Sequence, residues 1–194
     1  MIHSLENSLK RLKTNYLDLY LLHWRGTVPL VETVTGLVEL QKEGKIRHWG
    51  VSNFDTEDLK ELYANPNGDQ AFANEDLYNL ANRGIEFDLL PWQRQHGLPL
   101  IAYAPIDQGD SRGQKLTQNP VIQEIAKAHQ VTPMQILLAW TIQTDDIMAI
   151  PQTSNVAHMK QNIEAGNIKL SNQEMQQIDA QFSAPTSKQS LRMI

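Results

Sequence analysis

His23 and Trp24 close a run of Leu and Tyr, YLDLYLLHW. An imidazole placed there can donate a proton, hydrogen-bond a substrate carbonyl, or simply serve the structure. The pattern of an apolar run closed by polar groups recurs. Ser52 and Asn53 follow Val51, Asn74 and Glu75 follow Ala73, Tyr103 follows Ala102, and Gln152 and Thr153 follow Pro151. Taken singly, GVSNF is more often a turn with an N-cap than a ligand site, and Tyr103 before Pro105 is equally rim packing. The histidines and acids show no metal-ligand spacing, and no Gly-rich phosphate fingerprint occurs. There is no cysteine, so disulfides, thiolate chemistry and Cys-based zinc sites are excluded. Redox chemistry here needs a cofactor.

The elements that must position these groups alternate. Leu5, Leu9 and Leu12 have helical spacing and lead into a strand over residues 16–23. Residues 30–42 form an amphipathic helix that stops at Gly44, where a left-handed residue is free of steric cost. A strand over 46–51 follows, then a helix over 57–63 capped by Asp55 and a turn at NPNG. Residues 71–74 read as a strand, 85–96 as a helix, 100–103 as a strand, and 120–129 and 133–143 as helices. A short strand over 148–150 precedes helices over 155–163 and 171–182. The last of these opens with Ser171 and Glu174 in a capping-box spacing.

Strands alternating with helices imply a parallel sheet covered by helices, and short regular strands suit a (β/α)8 barrel of TIM type. The strands number about five, where a complete barrel has eight in ~250 residues. The chain is therefore expected to be an incomplete barrel, a single domain over 1–194. It is expected to hold strands 4 to 8 with their helices, the first three strands being missing on the N-terminal side. In that architecture the working groups sit at the C-terminal ends of strands, which selects the same residues again.

Composition bounds the partners. The 194 residues are 41% hydrophobic and 20% charged, with a net charge of -5 and a pI near 5.6. Acids and bases are scattered, without the basic block that tracks a phosphate backbone, so nucleic acid is not expected as a partner. No run of ~18 apolar residues and no secretory leader is read, so a cytoplasmic protein without membrane contact is expected.

Taken in order, LDLYLLHW, KEGKIRHWGVSNF, LYNL, LIAYAP and AIPQTSNVAHMKQN resemble the aldo-keto reductase superfamily over essentially the whole chain. The stretch NRGIEFDLLPWQRQHGLPLIAYAP is most similar to bacterial reductases of small aldehydes such as methylglyoxal. The resemblance implies hydride transfer from the nicotinamide of NADPH or NADH to a small carbonyl substrate, without a metal. The family's acid is a Tyr helped by a Lys, an Asp and a His. Of these His23 matches the histidine, which orients the carbonyl, with Trp24 lining the substrate pocket. Tyr16, Tyr20, Tyr63 and Tyr78 do not match the acid. The Asp, Tyr and Lys belong to the N-terminal strands, so the chain is expected to be inactive or impaired.

The resemblance also assigns a cofactor site. Ser52 and Asn53 match residues that bind the nicotinamide carboxamide, and Tyr103 matches the aromatic stacked on its ring. Departures follow. Glu75 stands where the family usually has Gln, and a carboxylate accepts from an NH2 but cannot donate to a carbonyl. Ala104 replaces the Ser that opens the pyrophosphate loop. Gln152, Thr153 and His158 stand for a Lys-Ser pair and an Arg, and Gln161 with Asn162 for a Glu-Asn pair, Asn162 suiting an adenine contact. Loss of the two cations that hold the 2'-phosphate weakens NADPH by about 3 kcal/mol, so reduced affinity and weak discrimination against NADH are expected. The alternative is a non-enzymatic, cofactor-responsive interaction protein. Exposed strand edges near residues 16–23 and 148–150 would then favour self-association.

Overall fold

The alternation is realised in the computed structural model, which describes residues 1–107 and 113–194. Two units are distinguished, Met1–Glu75 and Asp76–Ile194. In the first, helix α1 (Ile2–Leu12) buries Leu5 and Leu9 and ends at Lys13 in the left-handed conformation. Strand β1 (Leu17–Leu22) follows. Helix α2 (Leu30–Lys42) buries Leu30, Val34, Leu37 and Leu40, one stripe at helical spacing. Its end is as expected: Gly44 has φ 71°, and its N–H and that of Lys45 donate to Gln41 and Leu40 carbonyls at 3.0 Å.

Strand β2 (Ile46–Ser52) lies parallel to β1, with Leu17 beside Ile46 and Leu22 beside Val51. Helix α3 (Thr56–Ala64) carries a full capping box between Asp55 and Asp58. Strand β3 (Asn74–Leu77) pairs parallel to β2 in the register Val51 with Asn74 and Ser52 with Glu75.

This corrects the expected strand at 71–74, and with it the placing of Asn74 and Glu75 at a strand end. They open β3. Periodicity failed because the strand buries polar side chains: Asn74 and Asp76 are both 0% exposed. Asn74 is accommodated by donating Nδ2 to the Phe54 carbonyl at 2.9 Å.

In the second unit, β4 (Leu100–Tyr103) and β5 (Ile147–Ala149) are parallel, with Leu100 beside Ile147 and Ala102 beside Ala149. The helix expected over 85–96 is broken into a 3-10 turn, Gly84–Glu86, and helix α4 (Leu89–Gln95). Pro91 is the reason. In a continuous helix its ring would clash with the Phe87 carbonyl, whereas in the first turn of α4 it is tolerated.

Helix α5 (Gly113–Thr117), not anticipated from the sequence, precedes α6 (Pro120–His129) and α7 (Pro133–Thr141). Asn119 and Thr132 cap the latter two just before their prolines. From Gln135 to Thr141 helix α7 is buried throughout, and the Trp140 ring lies 5.4 Å from that of Tyr78. Helices α8 (Val156–Glu164) and α9 (Asn172–Gln181) complete the unit, α9 with the expected Ser171–Glu174 capping box. Among the described residues no helix is long and apolar enough to cross a membrane.

Candidate active site

In the first unit the parallel register gathers four of the expected residues. His23 follows β1 directly and is exposed, its ring edge-on to that of Trp24 with centroids 5.5 Å apart. Ser52 ends β2, fully buried. Its hydroxyl donates to the Glu75 carbonyl at 3.0 Å and accepts from Asn53 Nδ2 at 3.0 Å.

Asn53 leaves β2 with φ 59°, a conformation Asn tolerates better than most residues. Its N–H donates to the Glu75 carbonyl at 2.9 Å, and its side-chain amide also donates to the His23 carbonyl at 3.3 Å. The ends of β1 and β2 and the start of β3 are thus tied through one residue.

The carboxyl of Glu75 is half-buried. Burial raises its pKa above the ordinary carboxylate range, and the charge of His23 opposes that rise. An imidazole, a carboxamide and a carboxyl at one end of a short sheet can orient a carbonyl or bind an amide.

Burial pushes the Tyr63 and Tyr78 phenols up, and Tyr78 donates its hydroxyl to Glu86 at 2.9 Å.

In the second unit Tyr103 ends β4 half-buried. Ala104 follows with φ 46°. Asn79, fully buried, fixes that turn by donating Nδ2 to the Ala104 carbonyl at 2.8 Å. Asn79 was not singled out from the sequence, although a polar residue between Tyr78 and Leu80 in an apolar stretch is the signal that could have found it. The pyrophosphate loop expected after Ala104 runs into residues 108–112, outside the described residues.

Gln152, Thr153 and Asn162 line one open cleft of 890 Å³, walled by Leu138, Ile147 and Met159. Thr153 Oγ1 accepts from the Asn155 N–H at 3.1 Å. His158 is not among the lining residues and stands exposed in the first turn of α8. The cleft also contains Asp145 and Lys169, charges that no local motif marks. Among the described residues no group of acids and histidines could hold a metal ion.

The sequence matches the aldo/keto reductase family over residues 1–181, and the chain belongs to that family. It is 45% identical over 193 residues to methylglyoxal reductase YeaE of Escherichia coli (strain K12), covering 100% of this chain and 68% of that protein. It is 32% identical over 182 residues to glyoxal reductase of Bacillus subtilis (strain 168), covering 90% of this chain and 60% of that one. A crystal structure of an aldo/keto reductase from Klebsiella pneumoniae in complex with NADP and acetate superposes with a TM-score of 0.98 at 47% identity. It covers 100% of this chain and 69% of that chain. The chain thus spans about two thirds of the length of these relatives, and rather less of the Bacillus enzyme.

Proposed function

We propose that this chain serves an NAD(P)H-dependent reduction of small aldehydes and ketones, of the methylglyoxal type, to alcohols. The observation that carries the reading is the His23–Asn53–Glu75 arrangement: Asn53 donates to the backbone carbonyls of both His23 and Glu75, which sets an imidazole able to orient a carbonyl and a carboxyl able to accept from a carboxamide NH2 on either side of it. That donor set fits the cofactor. In the first unit Asn53 and Glu75 would hold the nicotinamide carboxamide; in the second, Tyr103 would meet the nicotinamide ring by family resemblance, and Gln152, Thr153 and Asn162 would meet the adenosine.

Bound, the cofactor supplies the hydride. His23 would donate a hydrogen bond to the substrate oxygen, where negative charge develops, and Trp24, 48% exposed, would give the substrate an apolar wall. No tyrosine of this sequence matches the family's acid. We therefore expect the 194 residues to bind cofactor with little or no turnover.

Titration with NADPH and NADH, followed by quenching of Trp24 and its neighbours, tests this alongside NADPH consumption on methylglyoxal. Micromolar binding with weak discrimination between the nucleotides is expected, because Gln152 and the outlying His158 replace two cations. Failure to bind either nucleotide would overturn the reading. A strong NADPH preference would overturn the cation argument, and turnover would show that another group protonates the alkoxide.

A second reading, an interaction protein, is favoured by exposed apolar side chains on β5 and α8. Met148 is 58%, Val156 74% and Ile163 70% exposed. Self-association in sedimentation would support it, and a strict monomer would count against it.

A further inference from the structure

We propose that the carboxyl of Glu75, set on the same sheet face as His23, biases this site toward the oxidised, positively charged nicotinamide over the reduced, neutral one, in a pH-dependent manner. The inference rests on the proposed cofactor function and goes beyond it. Its geometry comes from the register. Leu22 lies beside Val51, so His23, one residue on, is level with Ser52, which lies beside Glu75. Residues in one row of a parallel sheet project to one face, with neighbouring strands ~4.8 Å apart. His23 and Glu75 therefore flank β2 from either side on a common face. That the His23 charge acts on Glu75 is the electrostatic sign of the same placement.

The Glu75 main chain is already held. Its carbonyl accepts from Ser52 Oγ at 3.0 Å and from the Asn53 N–H at 2.9 Å. These bonds fix where the side chain starts, at the position that the family resemblance assigns to the nicotinamide carboxamide. A glutamine there would be electrically neutral to both forms of the ring. A carboxylate is not, because it attracts the cationic oxidised ring and has no net charge to attract in the dihydro form. Protonated, the same carboxyl becomes a neutral donor, able to serve a carboxamide oxygen as an amide would.

The charged and titratable surroundings of Glu75 are defined on its own unit. From β1 it is faced by His23, whose charge favours the carboxylate. From β2 it is faced by Ser52 and Asn53, which do not titrate. Burial works against the carboxylate, which places the loss of the bias at a higher pH than an ordinary glutamate would.

The test is the ratio of dissociation constants, NADPH over NADP+, for the wild-type chain and for Glu75→Gln, from about pH 4, below the ordinary glutamate value, to about pH 8. The 2'-phosphate titrates in this range but is common to both nucleotides, so it cancels in the ratio. At the upper pH the wild-type ratio is expected to exceed that of Glu75→Gln by about tenfold. As pH falls and Glu75 takes up a proton, the two ratios should converge.

Equal ratios in the two proteins at every pH would overturn the inference while leaving the cofactor function intact. Absence of binding by either nucleotide to the wild-type chain would overturn both. Should Glu75→Gln fail to fold, the wild-type series still decides, since a ratio flat with pH is incompatible with the inference.

Discussion

The side-chain amide of Asn53 donates to the backbone carbonyl of His23 at 3.3 Å, so the residue that turns the chain out of β2 also holds the end of β1. Asn53 does this from a left-handed backbone, φ 59°. Replacement by alanine removes the side-chain bonds and leaves a β-carbon in a conformation that costs about 1–2 kcal/mol. With the lost bonds at about 1 kcal/mol each, Asn53→Ala should be destabilised by about 3 kcal/mol in urea denaturation. Asn53→Gly, free of the backbone cost, should recover about 1 kcal/mol of that without restoring nucleotide binding.

Gly50, in β2, faces the residue that leads into β3. A β-carbon there would lie 2.5 Å from the Ala73 carbonyl oxygen and 2.8 Å from Leu21 Cδ2. The oxygen cannot retreat without breaking its bond from the Val51 N–H at 3.0 Å. Gly50→Ala should therefore cost about 3 kcal/mol, at the upper end for overpacking. It should also abolish nucleotide quenching by displacing Ser52 and Asn53, and a variant of unchanged stability would refute the close approach.

Arg83 is the polar hub of the second unit. Only 10% of its side chain is exposed, against 17% for Glu86. The guanidinium makes two 2.8 Å bonds to the Glu86 carboxylate, one of 2.7 Å to Asp179, and another to the Phe182 carbonyl. It lies over the Trp140 ring at 5.1 Å. Removing one partner of a buried pair strands the other, so Arg83→Ala should lose about 3 kcal/mol in denaturant midpoint measurements. Arg83→Lys keeps the charge but not the fork, and should fall between.

Glu174 sets an acid limit on the α6–α9 contact. Burial opposes its ionisation, but the Ser171 N–H and hydroxyl and His129 outweigh that and hold the carboxyl below its usual range. The bonds are short, 2.7 Å from Ser171 N, 2.8 Å from Ser171 Oγ and 2.8 Å to His129 Nε2. A carboxyl whose pKa is depressed by folding stabilises the fold above its unfolded value of about 4.5, and that stabilisation is lost as pH falls through the folded pKa. Glu174→Gln should therefore be less stable than the wild type near neutrality. The difference should vanish in acid, as read from melting temperatures across pH 3 to 7. A difference that persists at low pH would assign the contact to packing.

The elements whose side chains obey one period were legible. Helix α2 carries a clean apolar stripe to Gly44, and β4 is an unbroken apolar run between Pro99 and Ala104. Strand β3 and helix α4 were misjudged for opposite reasons. The first buries Asn74 and Asp76, which a hydrophobic pattern counts as surface. The second places Pro91 so that a stretch of helical composition must start late.

By itself the sequence determined the family, through motifs such as GKIRHWGVSNF, and the chemical types available at the site, among them the carboxyl at 75, where the family resemblance expects an amide. Only the tertiary structure decided that His23 and Glu75 fall in one row on either side of β2, that Ser52 turns its hydroxyl to a backbone carbonyl, and that Lys169 joins Gln152 and Asn162 in one cleft. The reason is physical. Local composition governs whether a segment turns or extends, whereas the register between parallel strands is set by long crossovers whose packing no short window contains.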